Sequence, residues 1–225
     1  MRALGCLTLL AFLALLLLLP IVFGDLMMQG LGKLHIGSSA ALLLVLAMML
    51  GGLVNIPLRR LEHPDEVAHD PLGVFWLGGV WPQLQRPRRA TILAVNVGGC
   101  LVPLGIAVYE LVQLAQRDVS LLGPTFAAAA IDILVCHRAA RMVPRLGITL
   151  PGFVAPGVAL AAALLLAPDQ APPIAFVAGV LGPLVGADLL HLRDIEQSGP
   201  GVMSIGGAGT FDGIVLSGIV AAYLA

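Results

Sequence analysis

Apolar residues run through this chain in blocks about as long as a bilayer is thick, separated by short polar stretches. The blocks lie near 4–23, 38–56, 90–113, 121–137, 152–167, 173–192 and 202–224. Stretches of roughly 17 to 25 apolar residues cross a hydrocarbon core as helices, because lipid offers an unpaired backbone amide no partner. A β-barrel is excluded, since its strands would alternate apolar and polar residues and "LLAFLALLLLLPIVF" is apolar at every position. The pattern predicts an all-α, polytopic membrane helix bundle of about seven spans. The fifth is short and bounded by prolines. The last is preceded by "SGPGVMSIGGAG", where each glycine costs about 1 kcal/mol of helix relative to alanine, so it is expected to be broken or re-entrant at its inner end.

Composition agrees: 59% of the residues are hydrophobic and 11% charged, with a mean hydropathy of +0.99. Lys and Arg fall alternately along the chain. With the N-terminus inside, ten of the 12 lie in inner segments and only Lys33 and Arg117 lie outside. This bias predicts an inner-membrane protein with its C-terminus outside. Arg2 ahead of the first run, with Val22-Phe23-Gly24 after it, also fits a signal peptide, but the run is long for one and no soluble exported domain follows, so the span is expected to stay. Residues 1–225 read as one integral membrane domain, with 57–89 a cytoplasmic loop. The net charge of −1 gives no basic surface for nucleic acid. Cys6, Cys100 and Cys136 fall in spans without a C-x-x-C pair, which suits packing better than disulfides or metal ligation.

A charged aspartate at the centre of a membrane helix costs about 2.5 to 3.5 kcal/mol, so aspartates at depth are functional candidates. Asp132, Asp188 and Asp212 qualify. Asp132 and Asp188 sit roughly 6 to 8 Å from the inner ends of their spans at 1.5 Å per residue. Asn55 and Asn96 fall in the same inner half, and the five are expected to form one polar layer. If regular helix starts near Thr210, that residue caps it and Asp212 occupies the first turn, facing a cavity lined by Gly207 and Gly209. His191, one turn past Asp188, is placed to share a proton with it. Gly182 and Gly186, and Gly209 and Gly213, have the four-residue spacing that lets membrane helices approach closely. If the first pair packed on the last span, Asp188 would point away from Asp212.

Two other stretches carry less. "EHPDEVAHD", residues 62–70, gathers metal-binding residue types without a recognised ligand spacing and reads as a solvated turn, so neither metal nor cofactor is expected. "PLGVFWLGGVWP", residues 71–82, is too short to span and reads as an interfacial or re-entrant segment with Trp76 and Trp81 at the headgroup level.

The stretches "NIPL", "NVGGCLVPLGIAVYEL", "GADLLHL" and "SIGGAGTFDGIVLSGIVA" resemble the uncharacterised prokaryotic membrane family known as domain of unknown function 1614, which implies a membrane location and no activity. A fainter likeness is to presenilin and signal peptide peptidase, intramembrane aspartyl proteases with a Tyr-Asp on one helix and a Gly-x-Gly-Asp on the next. "GAGTFDG" is similar to the second motif with Thr210 and Phe211 interposed. "GADLL" has Ala187 where the tyrosine would be, and no Pro-Ala-Leu element follows. The resemblance implies a catalytic pair, Asp188 and Asp212, acting on a transmembrane peptide. Two other classes fit the residues: a proton- or cation-coupled transporter or channel for a small solute, using Asp132, Asp188 and Asp212, or a non-catalytic membrane scaffold.

Overall fold

The structure, a computed structural model, describes residues 18, 21–62, 90–143, 147–192, 201–207 and 212–225. Most of these are helical. Three continuous helical stretches are long and apolar enough to cross a membrane: Val97–Arg117, Val119–Ala139 and Pro168–His191. They overlap the third, fourth and sixth expected spans. Shorter apolar helices cover α2 (Ser38–Gly51), α5 (Val154–Leu166) and α7 (Gly213–Leu224). Residues 21–33 form α1. Most of the first expected span, the 62–70 turn beyond Glu62 and the 71–82 segment lie outside the described residues.

The expectation of an all-α chain is corrected by two small sheets. β1 (Asn55–Glu62) pairs antiparallel with β2 (Ala90–Asn96), and β2 pairs in parallel with β5 (Gly201–Ile205). β3 (Arg141–Val143) and β4 (Gly147–Thr149) form a separate hairpin. The three-stranded sheet takes the end of the second expected span and the starts of the third and seventh. Pro57 has no N–H for the ladder, and the β1–β2 register shifts immediately after it, between Pro57 and Arg59.

Within the long stretches the regular helices are α3 (Val102–Arg117), α4 (Leu122–Ala139) and α6 (Ala171–Leu181). A wide π-helical turn, Val97–Leu101, leads into α3, and another, Gly182–Asp188, extends α6. Pro103 follows the first by two residues and Pro183 lies within the second, and the missing N–H of each leaves the carbonyl four residues earlier without its α-helical donor. α3 ends at Asp118, whose carboxylate accepts from the Ser120 N–H at 2.8 Å and starts the next helical turn. That bond holds the Asp118 carboxyl below the usual carboxylate range.

The stretch containing α6 is the centre of the bundle: 72% of its apolar window is buried, against 44% for that containing α3 and 28% for that containing α4. It packs on α3, α4, α5 and α7. Small side chains make this possible, with Ala128, Ala129, Ala159, Ala163, Ala175, Ala178 and Ala221 all buried in one cluster. A second cluster, around Phe176, Val180 and Ile219, takes Met27 and Leu31 from α1 and Met48 from α2. The outer faces carry Leu43, Leu134, Phe153 and Leu165, all exposed, as a surface in contact with lipid does.

Candidate functional site

The ends of all three strands of the larger sheet meet at Asn96. This residue is fully buried, and every polar group of its side chain is used. Its Nδ2 donates to the Gly52 carbonyl at 2.8 Å and to Asn55 Oδ1 at 3.1 Å, while its Oδ1 accepts from the Gly99 N–H at 2.7 Å. Ser204 Oγ on β5 donates to the same Asn55 Oδ1 at 2.6 Å. Asn55 and Asn96 therefore stand on paired strands rather than in spans, and Asn96 caps the π turn that begins α3. Asn96→Ala is expected to lower unfolding stability by about 1 to 3 kcal/mol, because the buried Gly99 N–H and the part-buried Gly52 carbonyl each lose a partner. Thermal unfolding in detergent measures this, and an unchanged midpoint would show that the node is dispensable.

One residue beyond β5, Gly206 adopts φ +69°. A Cβ there would lie 2.6 Å from the Gly99 carbonyl carbon and 2.8 Å from Cys100, so only glycine allows this turn to lie on the π turn. The Gly206 backbone lies beside the Asp188 carboxylate. Asp212 caps α7, its Oδ1 accepting from the Ile214 N–H at 3.0 Å. The helix thus begins later than expected, with Asp212 rather than Thr210 as its cap. Thr210 and Gly209 lie outside the described residues. Gly207 is exposed in the turn, donating its N–H to the Ser204 carbonyl at 3.0 Å. Asp188 interacts electrostatically with Asp212, and each of them with the buried Cys100 thiol.

The glycine face of the central stretch is committed to one neighbour. Gly182 presses on the Asp132 carboxylate, and a Cβ at Gly186 would meet the Ile133 carbonyl and lie 3.0 Å from Cys136 Cβ, so this face packs on α4. Contact with α7 is made instead through Gly179, against the Ser217 carbonyl. Asp188 is thereby left free to face the Gly206 turn. The stretches "NIPL", "NVGGC", "GADLL" and "SIGG" all contribute to this one place.

Residues 49–224 match the family model described as Protein of unknown function (DUF1614). The chain belongs to this family. No curated protein and no solved structure matches it, so the likeness to presenilin and signal peptide peptidase rests on the residues alone.

In this DUF1614 protein the expected single polar layer is divided. Asp132 is fully buried on another side of the central stretch from Asp188, with Oδ1 accepting from Cys136 Sγ at 3.5 Å and Oδ2 unpartnered. His191 does not bond Asp188. Its Nδ1 donates to the Ala187 and Gly186 carbonyls at 2.9 and 3.2 Å, and its ring lies 4.7 Å from that of His137. The helix's own carbonyls compete successfully for the ring nitrogen because they lie one turn back.

The aspartate-centred reading misses Glu110, 2% exposed in α3 with Oε1 unpartnered. The available signal was a glutamate within an apolar run. It also misses Ser204, which no local pattern marks. Among the described residues no group of three or more His, Cys, Asp or Glu side chains is arranged to hold a metal ion.

Proposed function

We propose that this membrane protein is an intramembrane aspartyl protease, with Asp188 and Asp212 as its acid pair and a membrane-spanning peptide as substrate. The observation that supports the reading is the electrostatic interaction of the two carboxylates, one in the wide turn that extends α6 and the other at the start of α7. Two carboxyls sharing one proton suit peptide hydrolysis: the ionised one takes a proton from water as it attacks the scissile carbonyl, and the protonated one gives its proton to the leaving amine. The wide turn Gly182–Asp188 and the broken entry to α7 support it, since irregular backbone at membrane depth needs a protein-lined or watery cavity. The test is cleavage of a model transmembrane peptide by purified protein. Loss of cleavage in Asp188→Asn and Asp212→Asn supports the reading, and wild-type cleavage in both overturns it.

A transporter is the second reading, favoured by the unpartnered carboxylate oxygens of Asp132 and Glu110 inside the bundle. It ranks lower because the Asp132 carboxylate is closed against Gly182. In either case we read seven spans in one domain of the inner membrane, with the N-terminus and the three-stranded sheet inside and the C-terminus outside. The distribution of Lys and Arg supports this. A reporter active only outside the membrane, fused after Ala225, is expected to be active. An inactive fusion alongside an active cytoplasmic reporter at the same position would reverse the orientation.

A further inference from the structure

The Asp132 carboxylate is buried at membrane depth, yet it belongs to neither sheet nor acid pair. One of its oxygens meets only a cysteine thiol, and the other has no hydrogen-bond partner. What it does touch is backbone: a Cβ at Gly182 would fall on Oδ2, Cγ and Cβ of Asp132 at once. Gly182 is the first residue of the wide turn that ends at Asp188. One turn on, Gly186 lies against the Ile133 carbonyl and the His137 amide. Thus α4 and the wide turn touch through backbone at Gly186 and through a carboxylate of fixed size at Gly182.

This contact sets how far the central stretch is rotated. Backbone atoms cannot move aside, so the size of the group at position 132 and the absence of one at 182 determine the seating. That rotation sets Asp188 beside the Gly206 backbone. We infer that Asp132 is a positioning residue, acting through Gly182 to aim Asp188 at Asp212. Its consequence for catalysis rests on the protease reading; the geometry itself does not.

The experiment reads the geometry directly. Cysteines are placed at 188 and 212 in the full chain, with Cys6 and Cys100 replaced by Ala and Cys136 by Ser, and a short thiol cross-linker is applied in membranes. The parent is expected to link. Asp132→Asn, of the same size without the charge, is expected to link as well as the parent. Gly182→Ala is expected to reduce linking about fivefold or more, as one extra methyl in a packed interface does. Gly182→Ala combined with Asp132→Ala is expected to recover to within about twofold, since the new methyl occupies the space that the carboxylate vacates.

Parent-level linking in Gly182→Ala, or a double variant no better than Gly182→Ala alone, would overturn the inference. If Gly182→Ala does not fold, Asp132→Ala decides instead: linking should fall below that of Asp132→Asn, and equal linking overturns the inference. A parent that does not link removes both the inference and the acid pair. The expected linking pattern without any peptide cleavage by the native protein would remove the protease reading and leave the positioning role standing.

Discussion

Asp188→Asn and Asp212→Asn are each expected to reduce peptide cleavage by about 10²- to 10⁴-fold, the contribution of a positioned general acid or base, while leaving the fold intact. Asparagine is the right replacement at both positions for structural reasons. At 188 it keeps the size of the side chain and an oxygen to face the Gly206 backbone. At 212 it caps α7 as well as aspartate does, retaining the bond to the Ile214 N–H. Alanine would not serve at 212, because losing the cap costs about 0.5 to 2 kcal/mol and would confuse folding with chemistry.

The double variant adds a sharper criterion. Two groups that share one proton act as a unit, so removing both should cost about as much as removing either. The measurement is the initial rate on a fluorogenic transmembrane peptide, with thermal unfolding of the same preparations as control. Multiplicative losses in the double variant, or single variants that unfold early, would count against a shared-proton pair.

Gly98→Ala is expected to have the largest effect on stability, at or above the upper end of the roughly 1 to 3 kcal/mol that overpacking costs. The new methyl would fall among the Met48 carbonyl, the Gly52 amide and the Gly51 carbonyl carbon, all of them backbone. None can turn away as a side-chain tip can. The last turn of α2 is held there by the Gly52 N–H on the Met48 carbonyl at 2.9 Å, and Asn96 ties the Gly52 carbonyl to the sheet at 2.8 Å. Separating the two backbones would therefore also break the Asn96 node.

Gly105→Ala is the matched control. It lies in α3, the helix that the same π turn leads into, with nothing within 4 Å of an added Cβ. Its unfolding midpoint should match wild type while that of Gly98→Ala falls by a large share of a total stability of about 5 to 15 kcal/mol. Equal midpoints for the two variants would contradict the backbone contact between α2 and the π turn.

Much of the helical framework was legible from apolar run length alone. The long stretches Val97–Arg117, Val119–Ala139 and Pro168–His191 lie within a few residues of the runs that predict them, apart from the start of the first. That exception is informative. "ATILAVN" is apolar without a period, and such a run fits a buried strand as well as a helix. Its partner "GVMSI" lies more than a hundred residues later, so the pairing that decides the matter is invisible to any local window. The same limitation applies to the cap of α7. Thr210 and Asp212 are both good capping residues, and their types alone do not choose between them.

The sequence by itself determined a membrane composition, the positions of the long apolar helices, the family and the presence of carboxylates among them, because each follows from residue type and run length. Which helix the glycine face of the central stretch meets follows only from the tertiary structure. The spacing of Gly182 and Gly186 marks a close-packing face without naming its partner, and that partner is α4. With the face committed there, Asp132 is closed off against Gly182, and Asp188 lies on the side of the Gly206 backbone. Direction around a helix axis is a relation between helices, fixed by which backbones can touch, and no single run of residues contains it.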